Sequence, residues 1–127
     1  MDVYKRREFA RWQNSEKLSD WMLCQAVEEM QSGLVDASLG GFLFKKRVAG
    51  VASGKRGGYR TVLSAKVGSR YIFLHGFKKS DIADITPGEQ KALQFAGKVF
   101  LQLSPQALAK ALSCGVLMEV RCDQQTH

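Results

Sequence analysis

The sequence predicts an α+β domain, in which a β-hairpin and the strand before it carry the charge and helices supply the core. Three observations lead there. Leu23, Ala26, Val27, Met30 and Leu34 recur at the helical period, while Gln25, Glu28, Glu29 and Gln31 fall on the other side. Two runs rich in β-branched and aromatic residues, Tyr59 to Val67 and Arg70 to Phe77, flank the turn pair Gly68-Ser69. Thr86-Pro87-Gly88-Glu89 has the form of a capping box with proline in the first turn. A chain of 127 residues suits one domain, 1–127, in which the stretch from about 115 onward is the least informative.

Val3-Tyr4-Lys5 suits a short first strand. Arg7 to Gln13 reads as a short helix with Phe9 and Trp12 on one side, interrupted at Asn14-Ser15. Ser19 is placed to cap the next helix, Asp20 favours its positive end, and Gly33 ends it. Gly40-Gly41 marks a turn into a strand from Phe42 to Val48. Gly50 to Gly58, with its glycines and Lys55-Arg56, reads as a mobile basic loop. After the hairpin, Ala92, Phe95, Ala96, Val99, Phe100 and Leu103 form the stripe expected to be buried in the helix that Thr86 caps. Ser104-Pro105 starts a last helix to about Leu112, and Val116 to Val120 fits either a terminal strand or a packed tail.

Composition narrows the function. No apolar run approaches the length of a membrane span, and the first residues, Met1-Asp2-Val3-Tyr4-Lys5-Arg6-Arg7, do not read as a signal peptide. Cys24, Cys114 and Cys122 match no zinc spacing and are read as reduced thiols of a cytosolic protein. With only His75 and His127, a histidine metal site is not expected, and the chemistry is expected to run without metal or other cofactor. The formal charge of +7 is concentrated. Between Asp36 and Asp81 there is no acid and there are ten bases, whereas the rest of the chain holds nine bases against twelve acids. Solubilising surfaces mix the two signs, so this window suits a polyanion such as a phosphate backbone.

A two-residue turn at Gly68-Ser69 pairs Val67 with Arg70, Ser64 with Phe73, Val62 with His75 and Arg60 with Phe77. Tyr59, Thr61, Leu63, Ile72 and Leu74 then form the apolar side that packs on helices. Lys45 and Arg47 share a face by alternation and are expected beside Arg60, with Tyr71, Phe73 and Phe77 among the charges. Bases interleaved with exposed rings suit single-stranded RNA. Phe73 is expected in the core, and Phe77 fits core or stacking.

Three segments carry a resemblance: Leu39-Gly40-Gly41-Phe42-Leu43-Phe44-Lys45-Lys46-Arg47-Val48, Gly54-Lys55-Arg56-Gly57-Gly58-Tyr59-Arg60-Thr61, and Phe73-Leu74-His75-Gly76-Phe77-Lys78-Lys79-Ser80. From about Val3 to Leu103 the chain resembles the RelE/ParE superfamily of type II toxins, closest to its HigB-like RelE branch. The resemblance implies a small RelE-like α+β fold, a mainly antiparallel sheet with helices packed on one face. It implies that the opposite, basic face binds mRNA in the ribosomal A site and cuts it. It also implies a cognate antitoxin, often of helix-turn-helix type. Lys45, Arg47, Arg60 and Lys78 match basic positions of RelE-type nucleases. A tyrosine that some relatives carry past the last strand has no counterpart near Ala83, Asp84 and Ile85, and His75 stands where relatives often have tyrosine.

Cleavage by side chains alone needs a base for the 2′-OH, cations for the phosphorane and an acid for the 5′ oxygen. The expected roles are Arg60 and Arg47 on the phosphate, Lys45 or Lys78 as base, and His75 as acid or ribose contact. Lys46, Lys55, Arg56, Tyr59, Arg70, Phe77 and Lys79 are expected to contact RNA. The ribosome can complete such a site by orienting the 2′-OH. Two other readings are a ParE-like inhibitor of DNA gyrase without nuclease activity and a non-catalytic RNA-binding module.

Overall fold

The structure, a computed structural model, describes residues 2–50, 54–78 and 85–122. In chain order these form β1 (Asp2–Arg6), α1 (Arg7–Asn14), α2 (Asp20–Gln31), β2 (Ala37–Gly40), β3 (Leu43–Gly50), β4 (Gly54–Lys66), β5 (Arg70–Lys78), α3 (Pro87–Leu101), α4 (Pro105–Ser113) and β6 (Leu117–Glu119). The strands make one sheet in the order β2-β3-β4-β5-β1-β6. Only β1 and β5 run parallel; the remaining pairs are antiparallel. The chain is therefore α+β with a mainly antiparallel sheet.

The helix starts follow local chemistry. Ser19 Oγ accepts from the Met22 N–H, and Ser104 Oγ accepts from the Ala107 N–H. At Thr86 the box is reciprocal: Thr86 Oγ1 accepts from the Glu89 N–H at 3.1 Å, and Glu89 Oε1 accepts from the Thr86 N–H at 2.8 Å. Gly33 ends α2 with a positive φ of 93°. Gly54 to Gly58 differ from expectation. They belong to β4 rather than to a loop, because β4 pairs with β3 from Gly54 opposite Gly50; residues 51–53 of the expected loop lie outside the described residues.

Helices cover both faces of the sheet, not one. α1 and α2 pack on one face through Phe9, Leu23, Val27 and Met30, against Leu63, Ala65, Tyr71 and Phe73. α3 and α4 pack on the other through Leu93, Leu101 and Leu108, against Leu43, Val62, Ile72 and Leu74. The cause lies in β5. Tyr71, Ile72, Phe73 and Leu74 are apolar without a break and all fully buried, so both sides of this strand need a cover. Of the stripe expected to bury α3, Phe100 and Leu103 pack half-buried against the core, and the rest does not. Leu93, Gly97 and Leu101 make the contact with the sheet, while Phe95 and Val99 are exposed.

Gly97 permits that contact. A Cβ at this position would overlap Ser64 Oγ and lie 2.6 Å from Ser64 Cβ. In an open helix interior, Gly→Ala adds about 1 kcal/mol of stability. Here the sign reverses: Gly97→Ala is expected to lower stability by about 3 kcal/mol, the upper range for overpacking, as read from urea unfolding.

The cysteines also depart from expectation. Cys24 in α2 and Cys122, 98 residues later, form a disulfide with Cα atoms 5.4 Å apart. The tail follows β1, where the Val120 N–H donates to the Val3 carbonyl, and this brings Cys122 over α2. Cys114 is free and exposed. No helix among the described residues is long and apolar enough to cross a membrane.

Candidate nucleic-acid interface

The hairpin register decides which side chains share a face. Val67, Gly68 and Ser69 form a three-residue connection, with Gly68 at a φ of 86° and the Ser69 N–H donating to the Lys66 carbonyl. The pairs nearest the turn are thus Lys66 with Arg70 and Ser64 with Ile72, one residue away from the expected register. A bulge at Leu74 absorbs the slip. Beyond it Val62 pairs with His75 and Arg60 with Phe77, as expected. The carbonyl of the bulged Leu74 accepts from Arg6 Nε at 2.6 Å, which fastens the irregularity to β1. Because the slip is confined to the turn end, Tyr71 and Phe73 lie with Tyr59 and Leu63 on the α1–α2 side. Neither ring stands among the charges.

Two rows result across β3, β4 and β5. Lys45 lies opposite Val62, which lies opposite His75; Arg47 lies opposite Arg60, which lies opposite Phe77. Val62 packs with the α3 cluster, so both rows share the α3 face of the sheet. At about 5 Å between strands and about 7 Å between same-face neighbours, three cations and the imidazole fit within one nucleotide's reach. Arg47 and Arg60 face each other directly, a repulsive pairing. Asp36 relieves part of it: one carboxylate oxygen stands 3.8 Å from Arg47 Nε, and the other accepts from the Arg47 backbone N–H. Arg60 has no such relief at Nη1, which is buried without a hydrogen-bond partner among the described residues. A buried guanidinium nitrogen left empty is costly unless an acceptor arrives.

His75 is half-buried, its ring centre 5.9 Å from that of Phe77. Burial lowers its pKa, Glu89 opposes that shift, and Arg6 adds to it. The imidazole is therefore neutral at pH 7 and can accept a proton. Neither Glu89 nor Arg6 was expected near the site. Glu89 reads in the sequence only as a cap, and Arg6 only as part of the first residues, which do not read as a signal peptide.

The other expected contacts are not part of these two rows. Lys46 is 2% exposed and points to α2, where Nζ meets Glu29 Oε1 at 2.7 Å; alternation turns it away from Lys45 and Arg47. Tyr59 is buried against Trp12 at 5.6 Å, and its hydroxyl accepts from the Lys17 N–H. Arg70 closes the end of α3, donating to the Phe100 and Leu103 carbonyls at 3.0 and 3.1 Å. Lys78 lies on the α1 side, 3.6 Å from Glu16. The side chains of Lys55 and Arg56 and the whole of Lys79 lie outside the described residues.

The Lys46–Glu29 pair gives a test of structural role. Glu29→Gln leaves the ammonium buried without its counter-charge, and is expected to cost about 2 kcal/mol after allowing for the partial exposure of Glu29. Lys46→Met leaves the carboxylate with access to water and is expected to cost less than about 1 kcal/mol. Denaturant titration of both variants checks the asymmetry.

Residues 1–120 match the model of a protein family described as RelE toxin of the RelE / RelB toxin-antitoxin system. No curated protein matches the chain.

Proposed function

The chain belongs to this family of toxins from toxin-antitoxin systems, and from that premise we propose that it is an endoribonuclease that cuts mRNA on the ribosome, in the A site, and so stops translation in the cytoplasm. The observation that carries the reading is Arg60 Nη1, buried, cationic and unpartnered on a face it shares with Lys45, Arg47 and His75. A phosphodiester supplies the acceptor that this nitrogen lacks.

In the proposed reaction the 2′-oxygen attacks the adjacent phosphorus as its proton leaves, the bond to the 5′ oxygen breaks, and that oxygen takes up a proton. The products are a cyclic phosphate and a 5′-hydroxyl. Arg60 and Arg47 hold the phosphate oxygens and neutralise the charge that builds on them. Neutral His75, at the β5 end of the first row and beside Phe77, is assigned the proton transfer, with Lys45 across Val62 as the second candidate. Lys78, on the α1 side of the sheet, is left out of the transfer. Alignment of the 2′-OH with the leaving oxygen is assigned to the A site. The antitoxin, proposed to be of helix-turn-helix type, holds the activity in check.

Expressing the chain and mapping 5′ ends of cellular transcripts tests the proposal. Cuts inside translated codons support it. Intact transcripts with gyrase trapped on DNA overturn it in favour of a gyrase inhibitor, and intact transcripts with bound RNA reduce the chain to a binding module.

A further inference from the structure

We propose that the outer face of α3 is the docking surface for the antitoxin, and that the docking segment is an amphipathic helix whose apolar stripe is flanked by acidic side chains. The inference rests on the toxin reading of the chain and adds the surface and the chemistry of the partner.

Ala92, Phe95, Ala96 and Val99 recur at i, i+3, i+4 and i+7 on the side of α3 turned away from the sheet. Phe95 is 71% exposed, the most of any large apolar residue among those described, and Val99 is also exposed. Exposed apolar side chains at this period form a face of the kind that an apolar helix packs against. A second exposed ring sits on the turn that is tied to α3. Phe42, 57% exposed, has a φ of 65°, a left-handed conformation that a bulky residue adopts only when the surroundings impose it. Its turn is held to α3 by Gln90 and Gln94, whose side-chain amides donate to the Leu39 carbonyl at 3.0 and 2.7 Å. Large exposed apolar side chains on two joined elements mark an interaction surface.

Charge selects the occupant. From Glu89 to Glu119 the sequence contains no acid between those two residues and three lysines, Lys91, Lys98 and Lys110. A second copy of the chain would set these lysines against their own kind. Lys91 and Lys98, seven residues apart, lie along one edge of the apolar stripe, so an acidic helix would meet opposite charge along that edge.

The test pairs the chain with the protein whose co-expression rescues growth from it. Phe95→Ser with Val99→Ser lies outside the cation rows and should leave toxicity intact. Rescue should be lost, and affinity for the purified antitoxin should fall about thirtyfold or more, as for a central apolar anchor. Lys91→Glu with Lys98→Glu should weaken binding and flatten its salt dependence. A toxic wild type whose Ser variant is still rescued at unchanged affinity overturns the docking surface. So does a wild-type dimer that the Ser variant dissolves without change in antitoxin affinity, or a Ser variant that loses ribosome binding alone. A wild-type chain that leaves growth untouched overturns the toxin reading itself.

Discussion

Arg60→Gln is expected to lower ribosome-bound mRNA cleavage by about 100- to 1000-fold, the range for removing one charged donor from a developing oxyanion. The fold should not suffer. Nη1 has no partner to lose, and Arg47 directly opposite loses a like charge, so the unfolding midpoint should hold or rise. Arg60→Lys separates charge from geometry. An ammonium keeps the cation but cannot present two parallel donors, so activity should fall between wild type and glutamine. Single-turnover cleavage with purified ribosomes, alongside a denaturation curve for each variant, gives both readouts. A folded Arg60→Gln protein that cuts at the wild-type rate removes Arg60 from the site.

The second large effect concerns the disulfide. Cys24–Cys122 spans 98 residues, and the chain-entropy relation gives about 4 to 5 kcal/mol for a loop of that size. Reduction with dithiothreitol is therefore expected to lower unfolding stability by about 4 kcal/mol. Cys122→Ser should reproduce this loss. Cys24→Ser should exceed it, because Cys24 is packed in the core beside α1 and the sheet, and a hydroxyl there needs a partner. Urea titrations with and without reductant check the order. Equal stability in both would mean that β6 and the tail hold as firmly without the cross-link.

Much of this molecule was legible from residue order alone. Local signals were read correctly: the serine caps, the capping box at Thr86, the turn at Gly40-Gly41, and the pairing of Arg60 with Phe77. The last survived by cancellation, since a slip at the turn was undone by the bulge at Leu74, a feature that alternation cannot anticipate. The second helical layer was missed because alternation was imposed on β5, although its unbroken run from Tyr71 to Leu74 asks for burial on both sides. The same assumption sets Tyr71 among the charges, whereas Phe73 lies in the core, as expected. In α3 the expected stripe divides: Phe100 and Leu103 join the core, Phe95 and Val99 are left outside, and Leu93, Gly97 and Leu101 meet the sheet. Steric fit decides, because Gly97 is the position at which the helix can approach Ser64. Lys46 and Arg70 look interchangeable with Lys45 and Arg47 in a list of bases. Only the register and the end of α3 turn them inward.

The order of strands has a consequence for solution behaviour. β2 and β6 are the strands with an unpaired side, and they are the shortest in the sheet, four and three residues long. The long strands β3, β4 and β5, with the glycine-rich and apolar sequences that would most readily recruit a foreign strand, are enclosed between neighbours. Each margin of the sheet is too brief to template growth from molecule to molecule, so the fold carries its own protection against edge-to-edge aggregation.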